Sequence, residues 1–333
     1  MKIKQFVLAS RPVGLPASEN FRIEYKELPE LKDNEVLLKS WYISVDPYMR
    51  GRMRDAKSYS APFEVDKPIY GSIVAKVVES RSSGFQIGDT VFGSLPWATH
   101  SIGIAENLRK VDPVIVPPGY YLGVLGMPGL TAYFGITDIG KPKKGDTVVI
   151  SGAAGAVGIV AGQIAKLLGA RVIGITGSDE KCKLLLGEFG FDEAINYKTT
   201  KTLRKTLEDI CPKGVDVYYD NVGGEISDAV IANLNFHARI ALCGQISQYN
   251  NTRIQMAPSI LPMLLTRSVM VQGFIVSNYS ARFSEAFEHL TKWVHEGTLK
   301  YKETIIKGFD KLPEAFVGLF SGENKGKMLV EIE

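Results

Sequence analysis

The first residues with a chemical task stand between a short apolar run and a longer one. Thr147-Val148-Val149-Ile150 is followed by Ser151-Gly152-Ala153-Ala154-Gly155-Ala156-Val157-Gly158, and then by Ile159-Val160-Ala161-Gly162-Gln163-Ile164-Ala165-Lys166. The pattern predicts a strand, a glycine turn and a helix that runs to Leu168. In such a turn Gly152 permits the tight exit from the strand, Gly155 leaves room for a pyrophosphate, and Gly158 lets the helix press against the sheet. Phosphates placed there meet the free backbone N–H groups and the positive dipole end of the helix. A second strand, Arg171 to Thr176, lies about twenty residues downstream, the context in which three glycines mark a dinucleotide site. The competing reading is a tight strand-to-helix turn in an unrelated α/β domain.

Which dinucleotide is decided at the end of that second strand. An acidic residue there binds the ribose hydroxyls of NAD, but this chain has Thr176-Gly177-Ser178, followed by Asp179-Glu180-Lys181. Gly177 and Ser178 can supply neutral donors and Lys181 a positive charge to a 2′-phosphate. Two bland readings stand beside this one. Asp179 and Glu180 complement the dipole of a helix that begins near Ser178, and Lys181 is then a solvated surface lysine.

The elements that must position these groups fall into two textures. Residues 1 to about 125 read as short strands broken by Gly and Pro, among them Glu35 to Ser40, Gly71 to Val78 and Asp89 to Gly93, which predicts a partly closed β-barrel. From about 127, strands alternate with helical stretches. After the two strands already named come Asp216 to Asp220, Arg239 to Cys243 and Ser268 to Gly273, and this alternation predicts a doubly wound parallel sheet. A helix from Phe283 to Trp293, then short strands ending in Met328-Leu329-Val330-Glu331, are expected to fold back onto the first domain.

Bulk properties exclude other classes. A chain of 333 residues with 45% apolar content can bury the cores of two domains. Its net charge of +3 is spread along the chain without a basic block, which argues against nucleic acid. No stretch approaches the ~20 apolar residues that cross a bilayer, and the start of the chain lacks a signal-peptide core. Cys182, Cys211 and Cys243 form no C-x-x-C pair and no disulfide framework, which fits a reducing, cytoplasmic setting. The four histidines are scattered, and His289 and His295 read as surface or packing residues of a helix.

Several strings together resemble the leukotriene B4 dehydrogenase / prostaglandin reductase branch of the medium-chain dehydrogenase/reductase superfamily, with its curcumin reductase-like and alkenal double-bond reductase-like members. They are Val45-Asp46-Pro47-Tyr48-Met49-Arg50-Gly51-Arg52-Met53, Gly126-Met127-Pro128-Gly129-Leu130-Thr131-Ala132-Tyr133, the glycine loop, Gly177 to Lys181, Asn196-Tyr197-Lys198, Asp220-Asn221-Val222-Gly223-Gly224, Cys243-Gly244-Gln245-Ile246-Ser247-Gln248-Tyr249-Asn250 and Asn324-Lys325-Gly326-Lys327. The resemblance implies an α/β fold. In it a GroES-like, partly open β-barrel catalytic domain (1–125 and 297–333) joins a Rossmann, doubly wound, NADP(H)-binding domain (126–296). It implies that Lys181 and Tyr197 bind the 2′-phosphate side of NADPH, with Gly177 and Ser178 beside them, and that Gly155, Ala156, Val157 and Gly158 contact the pyrophosphate. It also places Asn221, Cys243, Gly244, Ile246, Ser247, Tyr249, Phe274, Ile275, Val276 and Asn324 around the cofactor. Read alone, Asn221-Val222-Gly223-Gly224 is a turn and Asn324 a loop residue. Zinc-dependent relatives carry an early Cys and a Gly-His-Glu string where this chain has Asp46 and Gly71-Ser72-Ile73. With that ligand set gone, no metal is expected.

Hydride transfer without a metal requires an acceptor that is already electrophilic, such as the β-carbon of an enone or enal. The protein must then orient the acceptor and stabilise the developing enolate oxygen. Tyr249, in the string that the resemblance sets beside the nicotinamide, is the first candidate for that hydrogen bond or for a proton relay to the α-carbon. Tyr48 is the second, as a pocket wall or alternative donor; most of the fourteen tyrosines must be packing residues. The expected function is therefore an NADPH-dependent 2-alkenal/enone reductase acting on the CH–CH group. A quinone reductase using the same cofactor is the alternative, and an NADPH-binding structural or regulatory protein is the alternative of another class. A homodimer is expected through the apolar strand Val269 to Gly273, because such an edge invites pairing across a two-fold axis.

Overall fold

A computed structural model describes residues 1–332 of the chain. The first part is antiparallel. β1 (Lys2–Leu8) and β2 (Phe21–Glu27) form a two-stranded pair; β3 (Glu35–Ser44), the short helix α1 (Met49–Arg52), β4 (Tyr70–Ser80), β5 (Thr90–Pro96), β6 (His100–Ile104) and β7 (Arg109–Val111) follow. Strands and helices then alternate through α2 (Met127–Phe134), β8 (Thr147–Ser151), α3 (Ala156–Leu167), β9 (Arg171–Thr176), α4 (Asp179–Gly187), β10 (Glu193–Asn196) and α5 (Leu203–Ile210). The alternation continues with β11 (Val215–Asp220), α6 (Gly224–Ile231), β12 (Leu234–Leu242), α7 (Leu261–Thr266), β13 (Met270–Gly273) and α8 (Phe283–His295). The chain closes with β14 (Glu303–Lys307), α9 (Leu312–Ser321) and β15 (Lys327–Glu331).

Two compact units result. The first comprises Met1–Leu122, Glu303–Asn324 and the run from Met328; the second comprises Gly123–Lys302 and Lys325–Lys327. In the first, strand order is β14-β15-β3-β4-β5-β7, and β3 divides its outer edge between two partners, Glu35 to Lys39 pairing with β6 and Tyr42 to Ser44 with β15. Register shifts between Leu37 and Leu38 and between Ser40 and Tyr42 bend β3 as bulges do. Its core stacks Trp97 against Phe21 and edge-on to Phe316 of α9, with ring centroids 6.5 and 6.3 Å apart.

Helix α9 corrects the expectation of strands alone after Trp293. Leu312, Ala315, Phe316 and Leu319 follow the i, i+3, i+4, i+7 spacing and are all buried. Pro313 sits in the first turn, where its missing N–H costs nothing.

The second unit holds a six-stranded parallel sheet in the order β10-β9-β8-β11-β12-β13. This is the doubly wound 3-2-1-4-5-6 order, whose direction of winding reverses between β8 and β11. All five residues of β8 are buried, as a central strand covered by helices on both faces requires. Chain ends that meet at such a reversal point leave a crevice beyond the C-terminal ends of the strands, and there the glycine loop lies.

Candidate active site

The loop between β8 and α3 places Gly152 at φ +60°, a backbone region that side chains disfavour. A Cβ on Gly158 would stand 2.5 Å from the Gly152 carbonyl oxygen and 2.6 Å from the Ala153 Cα, so only glycine lets α3 lie this close to its strand. Gly155, which has no side chain to cap with, is the N-cap of α3. Ala156 and Val157 form the first turn, whose N–H groups suit an anion.

Across the crevice Asp220, which ends β11 and is 3% exposed, organises the rim. Its Oδ1 accepts hydrogen bonds from the Ser151 hydroxyl (3.0 Å), the Tyr218 hydroxyl (2.8 Å) and the backbone N–H groups of Val222 (3.0 Å) and Gly223 (2.9 Å). Its Oδ2 accepts from Ser227 Oγ (2.6 Å) and Gln245 Nε2 (3.0 Å). Asn221 donates Nδ2–H to the Ser151 carbonyl at 2.8 Å and accepts at its own carbonyl from Ile246 N–H at 3.3 Å. Ser247 donates both its N–H and its hydroxyl to the Val222 carbonyl, and Cys243 and Gly244 donate N–H groups to the Asp220 carbonyl. The ends of β8, β11 and β12 are thereby tied into one surface.

Tyr249 closes that surface. Its hydroxyl accepts the Gln245 N–H at 3.3 Å, which folds the ring back over the turn Ile246–Gln248. Burial, offset in part by that hydrogen bond and reinforced by Cys243 and Asp220, raises the phenol above its ordinary pKa, so it is protonated at neutral pH. Burial also pushes the Cys243 thiol up to about 12. Phe274 meets Tyr219 edge-on at 6.4 Å, and Ile275 and Val276 lead from it into the following turn.

The second strand ends in a separate cluster. Ser178 caps α4 by accepting the Lys181 N–H at 3.3 Å, and Tyr197 N–H donates to the Thr176 carbonyl at 3.0 Å. Asn196 bridges the two by donating Nδ2–H to Asp179 at 2.7 Å and accepting Lys198 N–H at 3.1 Å. A Cβ on Gly177 would come within 3.3 Å of both Tyr197 and Lys198. Burial first, then the charges of Lys198 and Lys325, hold the Lys181 ammonium below the ordinary lysine pKa. A cationic pocket beside a backbone turn fits a phosphate monoester. The residues present thus fit a dinucleotide phosphorylated on its adenosine ribose.

Of the sequence candidates, the second unit holds all but two. Tyr48 packs on the barrel core of the first unit, its phenol raised in pKa by burial and by Asp46, and Asn324 follows α9 there. Asp46 itself is buried and accepts a hydrogen bond from the Ser44 hydroxyl. Sequence reasoning passed over Asp220, Gln245 and Ser151. The signal for Asp220 was an acid ending an apolar strand, Val215-Asp216-Val217-Tyr218-Tyr219-Asp220, where an unpaired carboxylate is costly.

A doubly wound sheet with a glycine-loop crevice, and a separate unit built on an antiparallel barrel, define a two-unit dinucleotide-binding protein. Family models agree: one described as the N-terminal domain of oxidoreductase matches residues 4–111, and one described as zinc-binding dehydrogenase matches residues 156–292. The chain is 54% identical over 331 residues to YfmJ of Bacillus subtilis (strain 168), covering 99% of this chain and 97% of that one. It is 42% identical to the NADPH-dependent curcumin reductase of Escherichia coli (strain K12), covering 99% and 96%, and 42% identical to the NADP(+)-dependent 2-alkenal reductase of Nicotiana tabacum, covering 99% and 97%. The crystal structure of CurA from Vibrio vulnificus in complex with NADPH superposes with a TM-score of 0.94 at 43% identity, covering 99% of each chain. The chain belongs to the medium-chain dehydrogenase/reductase family, in its zinc-free alkenal/prostaglandin reductase branch. The zinc in the second description does not fit this chain: among the described residues no three His, Cys, Asp or Glu side chains stand together as a metal site.

Proposed function

We propose that this enzyme reduces the carbon–carbon double bond of α,β-unsaturated aldehydes and ketones, with addition at the β-carbon and no metal. Its cofactor is NADP(H), which supplies the hydride when bound. Gly152 turns the cofactor loop, Gly155, Ala156, Val157 and Gly158 hold the pyrophosphate, and Gly177, Ser178, Lys181 and Tyr197 the 2′-phosphate side. Asn221, Cys243, Gly244, Ile246, Ser247, Phe274, Ile275, Val276 and Asn324 complete its contacts.

One observation carries the reading: the Tyr249 hydroxyl is held by the Gln245 N–H on a rim that Asp220 fixes through the Gln245 side chain. Its oxygen accepts the Gln245 N–H, and a phenol O–H has one proton to donate. Given to a substrate carbonyl, that proton stabilises negative charge developing on the oxygen when the β-carbon accepts hydride. A carbonyl already conjugated to the double bond needs no Lewis acid to make the β-carbon electrophilic. Tyr48 serves as pocket wall or second donor. The relatives named for curcumin and 2-alkenals support the substrate class. A cytoplasmic homodimer paired through β13 completes the reading, and the exposed, partly apolar edge of that strand supports the pairing.

The test is NADPH oxidation against 2-alkenals, enones and quinones, with NADH in parallel and a chelator present. Chelator-resistant turnover of alkenals or enones is expected, and Tyr249→Phe should lower kcat by about a hundredfold. Turnover of quinones alone, or a Tyr249→Phe enzyme as fast as the native one, would sink the assignment.

A further inference from the structure

Lys325, in the string Asn324-Lys325-Gly326-Lys327, carries a charge that the proposed function does not use. Residues 325–327 pack with the second unit although the chain on either side belongs to the first. Gly326 donates its N–H to the Ala154 carbonyl at 2.8 Å and bridges Gly155 of the glycine loop, while Lys327 N–H donates to the Lys302 carbonyl at 2.9 Å. Gly326 lies at φ +70°, and a Cβ there would overlap the Lys302 carbonyl, so the segment has one seat. That seat brings Lys325 Nζ onto the carboxylate of Glu180, in the first turn of α4.

Glu180 is followed directly by Lys181, and Lys325 and Lys198 are both close enough to Lys181 to depress its pKa. Three cations therefore share one patch, and Asp179 beside them is engaged by Asn196. The ion pair itself is exposed, with 35% of the Lys325 side chain and 71% of Glu180 open to solvent, and pairs of that exposure stabilise a fold little. It is an easily exchanged contact at the edge of a phosphate-sized cationic site.

We propose that Lys325 is a further lysine of the 2′-phosphate site, and that Glu180 is the counter-ion it exchanges for the phosphate when NADPH binds. The inference rests on the NADP(H) reading above. A phosphate monoester carries about −1.5 to −2 charges against one on a carboxylate, so it outcompetes Glu180 for the lysine. NADH, without that group, leaves the pair intact. Glu180 then works against the phosphate by like-charge repulsion, and discrimination between the two cofactors depends on both residues.

Calorimetric binding of 2′,5′-ADP and 5′-ADP to the intact enzyme tests this without turnover. Native enzyme should prefer 2′,5′-ADP. Lys325→Ala should weaken 2′,5′-ADP about tenfold and leave 5′-ADP unchanged, as loss of one charge-assisted hydrogen bond predicts, while Lys325→Arg retains the native affinity. Glu180→Gln should tighten 2′,5′-ADP several-fold by removing the competitor. A merely structural pair would make Lys325→Ala and Glu180→Gln err in the same direction. Both variants weakening 2′,5′-ADP, or both keeping the native ratio, overturns the proposal while the NADP(H) reading stands. A native enzyme with no preference for 2′,5′-ADP overturns both.

Discussion

A carboxylate 3% exposed, with six donors converging on it, is the most constrained group of the crevice rim. Through Gln245 and the turn after β11, Asp220 sets where Tyr249 stands. Replacing it by Asn turns one acceptor oxygen into a donor and leaves buried N–H and O–H groups without partners. Asp220→Asn should therefore cost about 3 kcal/mol of stability in urea unfolding, with weaker cofactor binding as the loop after β12 loosens. A loss under about 1 kcal/mol would show that the network relaxes onto other partners. The Cys243 thiol, pushed up to about 12 by burial, stays protonated at neutral pH and is a poor nucleophile.

Elements, more than single residues, decide assembly. β13 is the last strand of the parallel sheet, and its four residues are exposed, Met270 and Val271 each at 42%. An apolar edge of this kind pairs with another strand unless charge blocks it. Light scattering should give the mass of a dimer for the native enzyme, and Val271→Lys, a charge on the pairing edge, should shift it to monomer. A native monomer would remove the dimer reading. Packing settled other elements: α9 is held by the barrel core through Leu312, Phe316 and Leu319, and α3 by the close approach that Gly158 allows.

Across the whole molecule, phenols raised by burial should set the alkaline limit of stability. Burial, with hydrogen bonds to Glu331 and Glu285 respectively, raises Tyr42 in the first unit and Tyr133 in the second from 10.0 to about 12. Burial raises Tyr218 and Tyr219 further. A folded-state pKa above the unfolded one means that the fold favours the neutral phenol. That contribution is complete below pH 10.0 and is lost as pH rises through about 12. Unfolding followed by circular dichroism should thus coincide with a late rise in tyrosinate absorbance over this window. Complete titration of the tyrosines at 10.0 with the fold intact would contradict it.

Local pattern alone determined the doubly wound unit. Glycine spacing, unbroken apolar strands such as Thr147 to Ile150, and helix starts such as Ser178 are short-range consequences of backbone geometry and burial, so they are written in consecutive residues. The glycine loop and the turn at Gly177 were legible for the same reason. The seat of Gly326 and the meeting of Lys325 with Glu180 join residues 145 or more positions apart, and the partners of Asp220 converge from β8, β11, α6 and the loop after β12. Such contacts depend on strand order and on which side chains burial brings together, quantities that no local spacing encodes, and only the tertiary structure decided them.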